Sequence, residues 1–304
     1  MSLLALILVN NLLPIFLVAG AAYLFGRLFQ PDLKTVSRLA FYIFSPCLVF
    51  TSLTENHLPV AEFWRMAAFS LATILTFGVA AGLFGRLLRL DRRTLAGLVV
   101  VTMFGNGGNY GLSLNLFAFG PEAVSRAVVY YITSTVLVYT LGVTIASSGH
   151  ASLRQSVLSV LKVPAIYGML LAAALNLFNR ELPLPLLRPI DLMSKAAIPV
   201  MLIVLGLQLA QARRPERIGL VTASSVFQLV VGPIIGLAFA AWLGLRGVAR
   251  QAAVVEAAMP TAVITTILAV EYEIDPVFVT GVVLVTTLLS PLTLTPLLAY
   301  LGAG

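Results

Sequence analysis

Long apolar stretches alternate with short polar connections along the whole chain, and this pattern predicts ten membrane-spanning helices. The stretches are too long for barrel strands, and a helix satisfies its own backbone polar groups in lipid. We therefore expect an all-α polytopic membrane protein. The predicted spans are Leu3–Leu28, Leu33–Thr54, Trp64–Leu88, Thr94–Phe119, Glu122–Ala146, Val157–Phe178, Ile190–Ala210, Ile218–Leu243, Val248–Val270 and Pro276–Leu301.

Composition leads to the same class of protein. The chain has 304 residues, of which 60% are hydrophobic and 10% are charged, whereas soluble domains carry roughly 25% charged residues. A soluble enzyme or a nucleic-acid-binding domain is therefore excluded. Ten spans of about 20–25 residues each also leave no room for a separate catalytic or nucleotide-binding domain.

The basic residues predict how the chain is oriented. Cytoplasmic loops collect Lys and Arg, and the connections that follow odd-numbered spans hold twelve: Arg27, Lys34, Arg38, Arg86, Arg89, Arg92, Arg93, Arg154, Lys162, Arg213, Arg214 and Arg217. The opposite side holds seven: Arg65, Arg126, Arg180, Arg188, Lys195, Arg246 and Arg250. This bias predicts a multi-pass protein of the cell inner (plasma) membrane with both termini outside.

Prolines recur at a nearly constant offset and indicate an internal repeat. The pairs are 150, 153 and 155 residues apart, in span order: Pro14 with Pro164, Pro46 with Pro199, and Pro121 with Pro276. Five spans per repeat is an odd number, so the second copy must be inverted, as in many secondary transporters. We expect a first five-helix repeat over residues 1–149 and a second over 150–304. The alternative is a duplicated scaffold that has no transport role.

The fourth and ninth predicted spans are both expected to be broken. Residues 105–111 contain four glycines, each of which costs about 1 kcal/mol relative to alanine inside a helix. The ninth span contains Pro260, which cannot continue the helical hydrogen bonds. Paired interruptions in the two halves of a transporter indicate its binding site, where half-helix N-termini favour an anion. The alternative is a proline kink that serves packing.

The residues at these two breaks are the candidate substrate-binding residues. Asn106 and Asn109 can donate amide hydrogens to a carboxylate, or they can only cap the half-helices. Thr261 can offer a hydroxyl to the substrate, or bond back into its own helix. The candidates are Asn106, Gly107, Gly108, Asn109, Tyr110, Pro260 and Thr261.

Glu256 is the most deeply placed acidic residue in the predicted spans. A charged group inside a span is costly to bury, so it is a candidate for proton or ion coupling. The alternative is a water-exposed carboxylate nearer the outer end of the span. Gln208 and Gln228 are expected to form interhelical hydrogen bonds.

The two breaks and the last span resemble the auxin efflux carrier family, within the bile acid/arsenite/riboflavin-type transporter superfamily. The first motif is Gly105-Asn106-Gly107-Gly108-Asn109-Tyr110-Gly111-Leu112, and the second is Ala258-Met259-Pro260-Thr261-Ala262-Val263. The tenth span adds Val285-Thr286-Thr287-Leu288-Leu289-Ser290. The resemblance extends over the whole chain in length and number of spans. Ser113 and Ile264 depart from the family pattern, which has a proline and an asparagine there.

The resemblance implies a fold similar to that of bile acid sodium symporters. Spans 1, 2, 6 and 7 would form a scaffold, and spans 3–5 and 8–10 a transport domain that moves like an elevator. Family substrates are organic anions, including auxin in plants and malonate or malate in bacteria. The family's substrate contacts correspond here to Asn106, Asn109 and Pro260.

These observations favour a secondary active transporter for a small organic anion, with a carboxylate as the expected group. The alternatives are a sodium- or proton-coupled carrier of another solute, a channel, and a membrane enzyme. Neither histidine lies in a predicted span and no Walker-type loop occurs, so no enzyme activity, cofactor or metal is expected. The expected partners are the anion and the lipid bilayer. A homodimer is left open, and no nucleic-acid partner is expected.

Overall fold

The computed structural model describes residues 2–55, 58–147, 158, 160–212 and 215–303. Within these ranges the chain is helical, and two short breaks pair with each other through one isolated β-bridge. The helices are α1 (Leu3–Phe29), α2 (Leu33–Glu55), α3 (Val60–Leu87), α4 (Arg92–Met103), α5 (Leu112–Phe119), α6 (Pro121–Ala146), α7 (Pro164–Leu177), α8 (Leu184–Gln211), α9 (Ile218–Trp242), α10 (Gly247–Ala257), α11 (Ile264–Glu271) and α12 (Pro276–Leu301).

Seven of the described helices are long and apolar enough to cross a membrane, namely α1, α2, α3, α6, α8, α9 and α12. A shorter apolar helix, α7, lies between α6 and α8. The fourth predicted span consists of α4 and α5, and the ninth of α10 and α11, each pair separated by the predicted break. The all-helical class is thus confirmed.

Some predicted helix ends are wrong. α3 begins at Val60 instead of Trp64, and α8 begins at Leu184 instead of Ile190. Pro189 lies in the second turn of α8, where its ring removes only one backbone hydrogen bond, so the helix can begin before it. The predicted start of the sixth span at Val157 lies outside the described residues, as do Arg154, Arg213, Arg214 and the repeat boundary at 149/150.

Prolines coincide with local changes in helix geometry. Pro14 and Pro46 each follow a π-helical turn, Leu8–Leu12 and Ala40–Phe44 respectively. The carbonyl group four residues before each proline lies within the widened turn, which relieves the clash with the proline ring. Pro121 and Pro276 open α6 and α12, where a missing N–H costs nothing.

The helices pack in two groups with a large cavity between them. In the first group α8 lies along α1 and α2, and α7 packs on α2. In the second, α3 packs on α4 and α6, while α9 packs on α10 and α12. The cavity has a volume of about 1100 Å³ and is bordered by α2 and α8 on one side and by both breaks, α6 and α12 on the other.

Candidate functional site

The two helix breaks cross each other deep in the protein. The backbone N–H of Asn106 donates to the carbonyl of Pro260 at 2.7 Å, and the N–H of Ala262 donates to the carbonyl of Phe104 at 2.8 Å. These two bonds form a short antiparallel pairing between Gly105 and Thr261. Backbone that leaves a helix at this depth needs other partners, and each break supplies them to the other.

Asn106 caps the half-helix that follows the first break. Its side-chain Oδ1 accepts a hydrogen bond from the backbone N–H of Asn109 at 3.2 Å. This bond fixes the orientation of the amide, so that Nδ2 points elsewhere. Asn106 is only 4% exposed and lines the cavity, and Nδ2 has no hydrogen-bond partner among the described residues. A buried amide donor that is free of protein partners suits an oxygen atom of a ligand.

The first break brings most of the predicted site residues to the cavity. Gly107, Gly108 and Asn109 line it together with Asn106. Tyr110, by contrast, is fully buried behind the break and contacts Phe16 edge-on, with a ring-centroid distance of 6.0 Å. Its hydroxyl accepts a hydrogen bond from Ser290 at 3.2 Å. The structure therefore separates Tyr110 from the other candidates of the first break.

The second break contributes structure rather than free polar groups. Pro260 and Thr261 are buried and lie behind the cavity wall, which is formed here by Ala262, Val263 and Ile264. The Thr261 hydroxyl donates to the carbonyl of Val101 at 3.0 Å, and its N–H donates to the Thr286 hydroxyl at 3.2 Å. Both polar groups of Thr261 are therefore used within the fold.

Glu256 lies in α10 directly behind the glycine-rich turn. It is fully buried, and its Oε1 accepts a hydrogen bond from the side chain of Asn115 at 3.0 Å. Its Oε2 has no hydrogen-bond partner among the described residues. A Cβ atom on Gly107 would lie 2.3 Å from Oε2, and one on Gly111 would lie 2.5 Å from Oε1. Glycine at these two positions is what allows the carboxyl group to approach the turn.

Several cavity residues were not predicted from the sequence. The main ones are aromatic side chains of α2 and α6, together with a glutamine of α8: Phe41, Tyr42, Tyr131, Tyr139 and Gln208. Aromatic residues at helical spacing look like ordinary core residues, so the sequence carried no signal that would select them. The four aromatic side chains make the cavity lining on α2 and α6 largely apolar.

Tyr131 connects the first break to the other group of helices. Its ring packs so closely on Gly108 that a Cβ atom there would lie 2.7 Å from Cε2. Its hydroxyl forms a hydrogen bond of 3.1 Å with the hydroxyl of Ser45, a buried residue of α2. Tyr131 thus contacts the candidate site on one side and the opposite helix group on the other.

Four charged residues are part of the cavity lining. Lys34 and Arg38 of α2 line it, together with Asp32, which precedes α2, and Glu271 of α11. Hydrogen bonds from the Thr35 hydroxyl and from two backbone N–H groups hold the pKa of Asp32 below its ordinary value. Asp32 therefore remains ionised near neutral pH, and the cavity lining includes two basic and two acidic side chains.

The remaining sequence candidates are placed as follows. Ile264 lines the cavity, whereas Ser113 is fully buried. Gln228 donates to the carbonyl of Met259 at 3.4 Å, so its hydrogen bond joins α9 to the second break rather than to another helix. Gln208 lines the cavity, and its Oε1 has no hydrogen-bond partner among the described residues, contrary to the expected interhelical bond. Among the described residues, no cluster of three or more His, Cys, Asp or Glu side chains could hold a metal ion.

Comparison with known proteins identifies what the chain is similar to. A family model described as membrane transport protein matches residues 7–298. An uncharacterized transporter from Methanocaldococcus jannaschii is 26% identical over 285 residues, covering 91% of this chain and 92% of the relative. A putative malonate transporter from Rhizobium meliloti is 28% identical, covering 96% and 95%. Auxin efflux carrier component 1 from Arabidopsis thaliana is 30% identical over 120 residues, covering 38% and 19%.

Proposed function

Because the chain belongs to the membrane transport protein family, which includes the auxin efflux carriers, we propose that it is a secondary carrier for a small organic anion. The family consists of transporters, in agreement with the prediction that the chain is not an enzyme. The anion is proposed to bind through a carboxylate at the crossing of the two broken helices. A relative described as a putative malonate transporter supports this class of substrate.

The observation that carries the proposal is the unpaired amide of Asn106. Its Nδ2 is a buried donor on a residue that lines the cavity, and the orientation of the amide is fixed by the bond from Asn109. An amide binds a carboxylate without the cost of burying a protein charge. Asn109 and the backbone of Gly107 and Gly108 are proposed to complete the binding site, while Pro260 and Thr261 hold the crossing together.

The two helix groups support an elevator-like movement. The site residues belong to the group α3–α6 and α9–α12, and the facing wall belongs to α2 and α8. We propose that the first of these groups is the transport domain, that α1, α2, α7 and α8 form the scaffold, and that the halves before and after residue 149 are inverted repeats. Movement of the transport domain along the scaffold would carry the site from one side of the membrane to the other.

Glu256 is proposed as the coupling group, for a proton or for another cation. Its Oε2 and the side-chain oxygen of Asn115 are buried without hydrogen-bond partners in the described part of the chain. In addition, no lysine or arginine forms an ion pair with it there. A buried carboxylate in this situation must be protonated or must take up a cation. Glu256→Gln keeps the shape of the side chain and should remove any dependence of transport on pH or sodium.

A thermal-stability screen of the detergent-purified protein tests the proposed substrate class. The screen compares short mono- and dicarboxylates with neutral and cationic solutes, with sodium and pH varied. A ligand at 100 times its dissociation constant stabilises a protein by about 2.7 kcal/mol, which is a readily measured shift. We expect stabilisation by a carboxylate that is lost in Asn109→Ala. Stabilisation by neutral or cationic solutes alone would contradict the proposal and favour a carrier of another kind of solute.

A further inference from the structure

A second concave site lies on the membrane-facing side of α3, away from the substrate cavity. It is a groove of about 450 Å³ between α3, α4 and the end of α6. Nine of its ten lining residues are apolar or glycine, and the tenth is an arginine at one end: Leu75, Gly78, Val79, Gly82, Leu83, Arg86, Val99, Met103, Leu141 and Ile145.

The groove has the length of one membrane leaflet. Its lining on α3 extends from Leu75 to Arg86, which at about 1.5 Å per residue is roughly 16 Å. The hydrocarbon core of a bilayer is about 30 Å thick, so a single leaflet takes up about half of it. Arg86, which is exposed, lies one residue before the end of α3, where the chain turns toward α4. The apolar part of the groove therefore extends from the level of Arg86 toward the bilayer midplane.

The charge near the groove favours an anionic ligand. Arg86 forms no salt bridge among the described residues, Arg89 follows in the connection to α4, and Arg93 lies in the first turn of α4. Asp91 is the only acidic residue in this connection, and it is engaged as the N-cap of α4 through the backbone N–H groups of Arg93 and Thr94. Arginine matches the geometry of a phosphate group, which it binds through two parallel hydrogen bonds.

We propose that this groove is a binding site for an anionic phospholipid. One acyl chain lies between α3, α4 and α6, and the phosphate group binds Arg86 at the membrane surface. Basic sites at the ends of membrane helices bind anionic headgroups in this way, with a contribution of about fivefold in affinity for each arginine or lysine. Met103 lies at the deep end of the groove and is the last residue of α4 before the first break. The bound lipid therefore contacts the helix that positions Asn106.

Two substitutions test the groove without disturbing the fold. A Cβ atom on Gly82 meets no atom within 4 Å, so Gly82→Leu places its side chain in the open groove. Arg86→Gln removes the charge from an exposed position. The helix α1 offers matched controls, because Gly20 also faces open space and Arg27 is likewise exposed in the last turn of its helix.

Native mass spectrometry of the full chain measures the dissociation constant of the first bound phospholipid. The constant is measured for phosphatidylglycerol and for phosphatidylcholine, and the two values are compared. Wild type is expected to prefer phosphatidylglycerol by about fivefold or more. Arg86→Gln should lower that preference about fivefold, and Gly82→Leu should weaken phosphatidylglycerol binding at least fivefold, while Gly20→Leu and Arg27→Gln stay within twofold of wild type. Wild-type binding in either groove variant, or an equal loss in the controls, would overturn the proposal.

Discussion

The two helix breaks are built from opposite kinds of residue, although they pair with each other at the crossing. The first break is made of glycines and asparagines and leaves the Asn106 amide nitrogen without a hydrogen-bond partner among the described residues. The second break contains a proline, and the polar groups of Thr261 are bonded to Val101 and Thr286. The comparison agrees with our proposal that the first break recognises the ligand and the second holds the geometry. Substitutions in the two regions should therefore affect binding and stability separately.

The largest effect is expected for Asn106→Asp. Aspartate can still accept the hydrogen bond from the Asn109 N–H, so the cap of the half-helix is kept. The free amide donor is replaced by a carboxylate oxygen that repels an anion. We expect carboxylate affinity to fall by about hundredfold or more, which corresponds to about 2.7 kcal/mol, whereas the melting temperature should fall by only a few degrees, because the retained cap offsets part of the cost of the buried charge. Isothermal titration calorimetry and a thermal melt measure both quantities, and wild-type affinity in this variant would contradict the assignment.

The second-largest effect is expected on the melting temperature when the Glu256 carboxyl group is crowded. In Gly111→Ala the new methyl group would lie 2.5 Å from Oε1, so the turn or α10 must shift. Overpacking of this kind costs about 1–3 kcal/mol and should lower the melting temperature by several degrees. Gly20→Ala is the control, since a methyl group there meets no atom within 4 Å. Equal melting temperatures for the two variants would show that Glu256 does not pack against the turn.

A smaller effect is expected for Thr261→Val in the second break. The isosteric valine removes the hydrogen bond to the Val101 carbonyl, which contributes about 1 kcal/mol to stability. The melting temperature should fall by a few degrees, whereas carboxylate affinity should remain within twofold of wild type. A large loss of affinity in a variant that remains stable would mean that Thr261 binds the ligand directly.

Removal of the hydrogen bond between Tyr131 and Ser45 is expected to have the smallest effect, which is on the rate of substrate exchange. Tyr131→Phe and Ser45→Ala each remove the same bond, so each should change the rate of substrate exchange by about fivefold or less. The double variant should change the rate no further than either single one, because the two substitutions share one interaction. Counterflow measurements in liposomes check this, and additive effects would show that the two residues act independently.

The sequence was sufficient to predict features that depend on local backbone chemistry. Four glycines over residues 105–111 and Pro260 cannot continue a helix, and both breaks lie where they were predicted. Their mutual pairing depends on tertiary structure, and so does the contact between Glu256 and Asn115, which are 141 residues apart. Tyr131 resembled a core residue and was identified only from its contact with Gly108. Tyr110 was predicted from its position in the motif, but its side chain points away from the cavity.

Counterflow in proteoliposomes is the most direct test of the central claim, that the first break binds a carboxylate which the protein then carries. Purified wild type and Asn106→Asp are reconstituted in parallel, loaded with unlabelled malonate and supplied with radiolabelled malonate outside. The account predicts saturable accumulation of label by the wild type and none by Asn106→Asp. Accumulation by Asn106→Asp at the wild-type rate would contradict it.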